Sequence, residues 1–225
     1  MKKNNNNRTP VIVFDLGGVL MDWNPYHLYC DKLGLDREVV DRFMKEVDFA
    51  GWNKEQDRGR SFAEATVELS ARFPDYRELI YAYDEYYLDS LGGSIQLAVD
   101  ILEKLKNAGY PLYVLSNWPA EKFELVRPLY PFLEWFDGIV ISGEVGLVKP
   151  DQAIFKVLLE RTGHPADECL FIDDHLTNIT VARALGFQTI QFLSAQQLEA
   201  ELRNRGILDG AKNIRLSNRD VSGDG

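Results

Sequence analysis

From about residue 95 onward, short apolar runs alternate with amphipathic stretches. The runs YPLYVLS (110–116), GIVIS (138–142), CLFID (169–173) and QTIQF (188–192) are bounded by turn residues and predict strands. Between them, IQLAVDILEKLKNAG (95–109) sets Ala98, Ile101, Leu102 and Leu105 on one helical face and closes at Gly109. DQAIFKVLLERTG (151–163) repeats the device with Ile154, Phe155, Leu158 and Leu159, closing at Gly163, and NITVARALG (178–186) is a third such unit. With VIVFD (11–15) as the first strand, this rhythm predicts an α/β fold: a doubly wound parallel sheet with helices on both faces.

Residues 24–93 break the rhythm. Only helical periodicity occurs there, in YHLYCDKLG, DREVVDRFMKEV, SFAEATVELSARF and YRELIYAYDEYYLDSLGG, so a four-helix insertion is expected after the first strand. GWNKEQDRGRSF (51–62) reads as a polar, glycine-flanked loop among these helices. The expected organisation is a core formed by 10–23 and 94–208, a helical cap at 24–93, and polar tails at 1–9 and 209–225 with little to bury.

Composition narrows the partners. The 225 residues carry a net charge of −10, which argues against nucleic acid or an anionic membrane, both of which reward basic patches. A small anionic substrate stays open, because charge at a site can oppose the global balance. No apolar run approaches the roughly 20 residues needed to span a bilayer, and MKKNNNNRTP has no apolar stretch after its basic residues, so a cytoplasmic protein is expected. Cys30 and Cys169 lack metal-like spacing and suit reduced packing residues. The aromatic stretch IYAYDEYYL (80–88) fits packing within the cap or against a second copy, leaving monomer and homodimer both open.

In an open parallel sheet, ligands bind beyond the carboxyl ends of the strands. The first strand ends in Asp15 and the second in Ser116 and Asn117. The third is followed by GEVGLVKPD with Lys149, and the fourth ends in Asp173 and Asp174. Taken singly, Asp15 or the Asp173–Asp174 pair suits an N-cap, Ser116–Asn117 suits a capping turn, and KPD suits a helix start. Together they put three carboxylates, a hydroxyl, an amide and an ammonium at one edge. Clustered carboxylates with phosphate suit Mg²⁺, a carboxylate can attack phosphorus, and a lysine can neutralise the charge that develops. Gly17 and Gly18 let the backbone come close to phosphate and metal.

FDLGGVL, LSN, VKPD and FIDD in this order resemble the four motifs of the haloacid dehalogenase (HAD) superfamily, over about residues 10–205. The helical insertion resembles that family's C1-type cap. The resemblance implies a Rossmannoid core of strand order 5-4-1-2-3, with Asp15 as nucleophile. It implies Mg²⁺ held by Asp15, the main-chain oxygen of Gly17, and Asp173 or Asp174. Ser116 and Lys149 match the family's phosphate-binding residues, with Asn117 as a supporting donor. The implied activity is Mg²⁺-dependent hydrolysis of a small phosphorylated metabolite, such as a sugar phosphate, through an aspartyl-phosphate.

One position departs from the family. Most phosphatases of this kind carry a second aspartate, acting as general acid and base, where this chain has Gly17. Three accounts compete: a substrate with a better leaving group, a substitute residue such as Asp22 or His175, or a module that binds phosphorylated ligands with little turnover. The FDLG-x-V form resembles a bacterial α-D-glucose-1-phosphate phosphatase subgroup, which favours the first. A metal-independent 2-haloacid dehalogenase is the alternative enzyme. Asp22 reads as a surface residue of the hinge, His175 as exposed beside the acidic pair, and His27 and His164 as ordinary helix or loop residues. In the cap, Trp52 and Arg58 are candidates for stacking on a sugar and meeting an anionic group.

Overall fold

A computed structural model describes residues 9–208; the expected tails at 1–8 and 209–225 lie outside the described residues. The chain opens with β1 (Val11–Phe14), whose four residues are all buried, then turns through Leu16–Leu20 into β2 (Met21–Trp23). A π-helical turn (His27–Lys32) leads into α1 (Arg37–Glu46), α2 (Phe49–Asp57), α3 (Phe62–Arg72) and α4 (Arg77–Glu85). Return to the core runs through β3 (Leu91–Ser94), which pairs antiparallel with β2. Then follow α5 (Gln96–Asn107), β4 (Leu112–Ser116), α6 (Ala120–Val126), β5 (Gly138–Ile141) and α7 (Ser142–Val145). The core ends with α8 (Gln152–Thr162), β6 (Cys169–Asp173), α9 (Leu176–Ala184), β7 (Gln188–Gln191) and α10 (Ala195–Asn204).

The five core strands form one parallel sheet in the order β5-β4-β1-β6-β7. Counted one to five along the chain and read from β7, that order is 5-4-1-2-3, as the motif resemblance implies. Period-two alternation divides the central strand between two cores. Val11 and Val13 face Ile154, Phe155 and Leu158 of α8 with Ile179 of α9. Ile12 and Phe14 face Ala98, Leu102 and Leu105 of α5 with Leu198 and Leu202 of α10. Burial of β1 on both faces explains its unbroken apolar run, and it sets Asp15 at the carboxyl end of the middle strand.

The helical insertion is present, with differences in detail. The first of the four expected helices is a π-helical turn, and α2 occupies Phe49–Asp57, where a polar loop was expected. Asp48 starts α2: it sits at φ +50° and its carboxylate accepts from Gly51 N–H at 3.3 Å. Phe49, Trp52 and Gln56 then turn inward. α6 and α10 have no counterpart in the periodicity reading; α6 is a short helix squeezed between Pro119 and Pro128. A cap boundary at residue 93 cuts through β3, because Gly92 and Gly93 form part of that strand rather than a helix stop.

The cap core is aromatic. Tyr29, Phe43, Phe49, Trp52, Phe62, Tyr83 and Tyr87 are buried in edge-to-face and tilted contacts, the tightest being Phe49–Tyr83 at 4.8 Å between centroids. Pairs of this kind add about 0.5–1.5 kcal/mol each beyond the area they bury. IYAYDEYYL therefore uses Tyr83 and Tyr87 inside the cap, while Tyr86 and Leu88 stay exposed. Three contacts tie the cap to the core. Lys122 of α6 is buried, donates to the Asp84 carbonyl at 2.9 Å and to its carboxylate, and lies over Phe62. Glu121 accepts from Phe62 N–H at 2.6 Å, and Arg58 pairs with Asp151 at 3.2 Å. No helix among the described residues is long and apolar enough to cross a membrane, and both cysteines are free.

Candidate active site

Between cap and core lies a cavity of about 460 Å³. On the core side it is lined by Asp15, Gly17 and Gly18 after β1, Ser116 to Pro119 at the end of β4, Lys149 and Pro150, and Asp174, His175, Thr177 and Asn178 after β6. Apart from Asp173, the residues singled out at strand ends thus converge on one cavity, as the open-sheet rule requires.

Lys149 is the electrostatic centre. Its ammonium is 1% exposed and donates to Asp15 Oδ2 at 2.8 Å and to Asp173 Oδ2 at 2.7 Å. Burial works against its charge, yet the two carboxylates hold its pKa above the usual lysine range. Burial is the largest influence on Asp15 and pushes it up to about 7, against the pull of Lys149 and with a further push from Asp173. Burial also acts to raise Asp173, but Lys149, His175 N–H (2.8 Å) and Asn178 Nδ2 (3.0 Å) outweigh it and hold that carboxylate below its ordinary value. One cation therefore serves two buried carboxylates.

The two members of the acidic pair do different work. Asp173 is fully buried beneath the cavity and already satisfied. Asp174 faces the cavity, 29% exposed, and bonds His175 Nδ1 at 2.7 Å. Ligating atoms of Asp173, Asp174 and His175 lie within 4.8 Å of one another. Because Asp173 lies outside the cavity lining with both oxygens bonded by Lys149, His175 N–H and Asn178, the donor set that better fits a hard divalent cation is Asp15, the Gly17 main chain and Asp174. Gly18 makes this geometry possible: it sits at φ +73°, and a Cβ there would lie 2.6 Å from Asp174 Oδ2. Gly17 is different. Its φ is not in the left-handed region, and a Cβ would meet nothing nearer than Trp118 and Trp23 at 4.0 Å.

Asn117 holds a neighbour rather than reaching freely for ligand. Its Oδ1 accepts from Lys149 N–H at 2.7 Å and its Nδ2 donates to the Lys149 carbonyl at 3.0 Å, so one amide clamps the lysine's backbone. Ser116 is 1% exposed at the end of β4, and its hydroxyl favours the charged form of Asp15.

In the cap, both sequence candidates are displaced. Trp52 does not reach the cavity; it packs on Phe49, Phe62 and Tyr83, and its Nε1 donates to Ala65 carbonyl at 3.2 Å. Arg58 is drawn outward to Asp151 and latches the end of α2 to the core. Asn53, Lys54 and Asp57 of α2 line the cavity instead, joined by Tyr87, Trp23 and Trp118. Reading 49–57 as helical would have found them: Phe49, Trp52 and Gln56 form the buried stripe, and 53, 57 and 54 follow side by side around the helix from its edge. Trp118 is 2% exposed, and its indole N–H has no hydrogen-bond partner among the described residues.

Asp22 lies outside the cavity lining. It bonds His27 Nε2 at 3.0 Å, His27 Nδ1 reaches Asp31 at 2.9 Å, and Gly92 packs so closely that a Cβ there would meet Asp22 Oδ2 at 2.3 Å. His27 is therefore a tie of the β2–β3 hinge rather than an ordinary helix residue. His175 lines the cavity and is 69% exposed, while His164 pairs with Glu168 far from it.

Residues 9–186 match the family model "haloacid dehalogenase-like hydrolase". The chain belongs to this family of hydrolases. Among curated HAD relatives, it is 26% identical over 192 residues to the sesquiterpene phosphatase astK of Aspergillus oryzae, covering 85% of this chain and 93% of that protein. It is 28% identical to the (S)-2-haloacid dehalogenase H-109 of Pseudomonas putida, covering 78% and 82%. It is also 26% identical to drimenol cyclase drtB of Aspergillus calidoustus, but spans only 36% of that longer protein. The fold matches a HAD family enzyme of Bacteroides thetaiotaomicron, solved in complex with magnesium and inorganic phosphate, at TM-score 0.63 and 23% identity, covering 83% and 96%.

Proposed function

We propose that this HAD hydrolase is a Mg²⁺-dependent phosphatase that cleaves a small phosphorylated metabolite, such as a sugar phosphate, through an aspartyl-phosphate. The observation that carries the reading is the setting of Asp15: one oxygen on Leu16 N–H at 2.8 Å, the other on Lys149, at the floor of a cavity shared with Ser116 and Asp174. Asp15 attacks phosphorus, the leaving oxygen departs, and water then releases phosphate and restores the carboxylate. Lys149 balances charge on the transferring group, Ser116 donates to a phosphoryl oxygen, and Asn117 fixes the lysine's backbone. Asp15, the Gly17 carbonyl and Asp174 would hold Mg²⁺, which when bound neutralises and aligns the phosphate. Residues 24–93 act in this reading as the specificity cap, and the free cysteines suit a reducing, cytoplasmic setting.

The test is release of inorganic phosphate from a panel of phosphate esters, with Mg²⁺ and with EDTA. Asp15→Asn is expected to abolish turnover, and activity unchanged in that variant would refute the mechanism. Likeness to (S)-2-haloacid dehalogenases supplies the second reading, in which Asp15 displaces halide from carbon. Halide release that persists in EDTA, with no phosphate release, would establish it.

A further inference from the structure

Hydrolysis of an ordinary alkyl phosphate needs a proton for the departing oxygen, and Gly17 has none to give. The open space at residue 17 means that sterics do not forbid a side chain there. Of the sequence candidates, Asp22 is committed to the hinge, and His175 is mostly exposed with its ring tied to Asp174. The cavity is lined by three carboxyl groups: Asp15, Asp174 and Asp57. Asp57 is the one with no hydrogen bond or ion pair to any described residue, and it is the one that the cap contributes to the cavity.

Building on the phosphatase reading, we propose that Asp57, at the end of cap helix α2, is the general acid and base of this site. The neighbouring Arg58–Asp151 pair, 3.2 Å, pins that helix end against the loop carrying Lys149, so the cap must be closed for Asp57 to be in place. As Asp15 forms its bond to phosphorus, the bond from phosphorus to the leaving oxygen breaks. That oxygen keeps the electron pair and takes the carboxyl proton of Asp57, leaving as an alcohol. Asp57 carboxylate then takes a proton from the incoming water. The hydroxide oxygen bonds phosphorus, and the Asp15–phosphorus electron pair returns to Asp15. Both residues end as they began.

The surroundings suit this duty. Lys149 and Asp15 from the core, Lys54 from the same helix, and the buried Tyr83 and Tyr87 hydroxyls are the titratable groups that interact with Asp57. Burial is the largest influence and, with Asp15, outweighs the two lysines, lifting the carboxyl to about 7. A carboxyl poised there can both give and take a proton near neutrality. The inference also changes the expected substrate: with an acid present, a poor leaving group such as an ordinary alcohol is within reach.

The experiment compares wild type, Asp57→Asn and His175→Gln on p-nitrophenyl phosphate and on a simple alkyl phosphate. Asp57→Asn is expected to lower kcat/KM about 100-fold or more on the alkyl ester, but less than about fivefold on the nitrophenyl ester, whose leaving group needs no proton. The high-pH decline of kcat on the alkyl ester should disappear in Asp57→Asn. Adding Gly17→Asp to that variant should restore alkyl turnover, since the family's usual acid then returns. Equal losses on both esters, or a selective loss in His175→Gln instead, would overturn the assignment while leaving the phosphatase reading intact. Wild-type protein that releases no phosphate from either ester would overturn both.

Discussion

Replacing Lys149 by methionine tests the electrostatics of the site without touching its shape. The ammonium contacts Asp15 at 2.8 Å and Asp173 at 2.7 Å, and the two carboxylate side chains are 9% and 0% exposed. Removing one member of a buried ion pair costs about 3–5 kcal/mol, because the partner is left uncompensated. Two partners are stranded here, and the variant escapes part of the penalty by protonating them. Asp173, held below its ordinary value in the wild type, contributes stability above the unfolded carboxylate range that is lost as pH falls through its folded value. Asp15, raised to about 7, contributes with the opposite sign: its stabilising proton is lost as pH rises through 7. Without Lys149 both carboxyls hold protons to higher pH. The loss therefore grows with pH, by about 1.4 kcal/mol per unit for each extra proton retained. Urea and thermal melts in EDTA from pH 5 to 8 read this directly. At pH 8 the deficit should be about 3–5 kcal/mol, a fall in Tm of about 10 °C for a chain of this length. It should shrink steadily towards pH 5. A deficit below about 1 kcal/mol at pH 8, or one independent of pH, would falsify the picture of one cation shared by two buried carboxylates.

Two further outcomes follow from the glycines and the hinge. Gly18→Ala should lose about 1–3 kcal/mol in melts, since alanine must adopt φ +73° with its Cβ against Asp174, whereas Gly17→Ala should stay within about 1 kcal/mol of wild type. Equal losses at the two positions would contradict the loop geometry. The His27 ring should titrate above the ordinary histidine value, chiefly through its bond to Asp31 and against burial, with a smaller push from Asp22. An NMR titration should show Asp31→Asn lowering the midpoint more than Asp22→Asn. The contribution of this tie to stability is then present below the ordinary histidine range and lost as pH rises through the folded value. A midpoint at or below 6.5 in the wild type would refute it.

Much of this protein is written locally. Strand and helix periods, glycine stops and apolar runs depend on neighbours along the chain, so VIVF, CLFID and the helix at 152–162 could be read directly, and with them the sheet that gathers Asp15, Ser116, Lys149 and Asp174. Motif order then identified the family, because the rule that ligands bind at strand ends converts sequence position into spatial position. Three matters could not be read that way. Asp173 and Asp174 are adjacent in the chain, yet alternation along a strand turns the first down to Lys149 and the second out to the cavity. Trp52 and Arg58 look like ligand contacts in a polar stretch, but once 49–57 is helical, one side chain falls into the aromatic core and the other swings to Asp151. Asp57 carries no motif at all. Its place opposite Asp15 depends on how the cap closes on the core, through contacts between residues some 40 to 90 positions apart. Such contacts leave no period in the sequence, and only the folded chain brings them together.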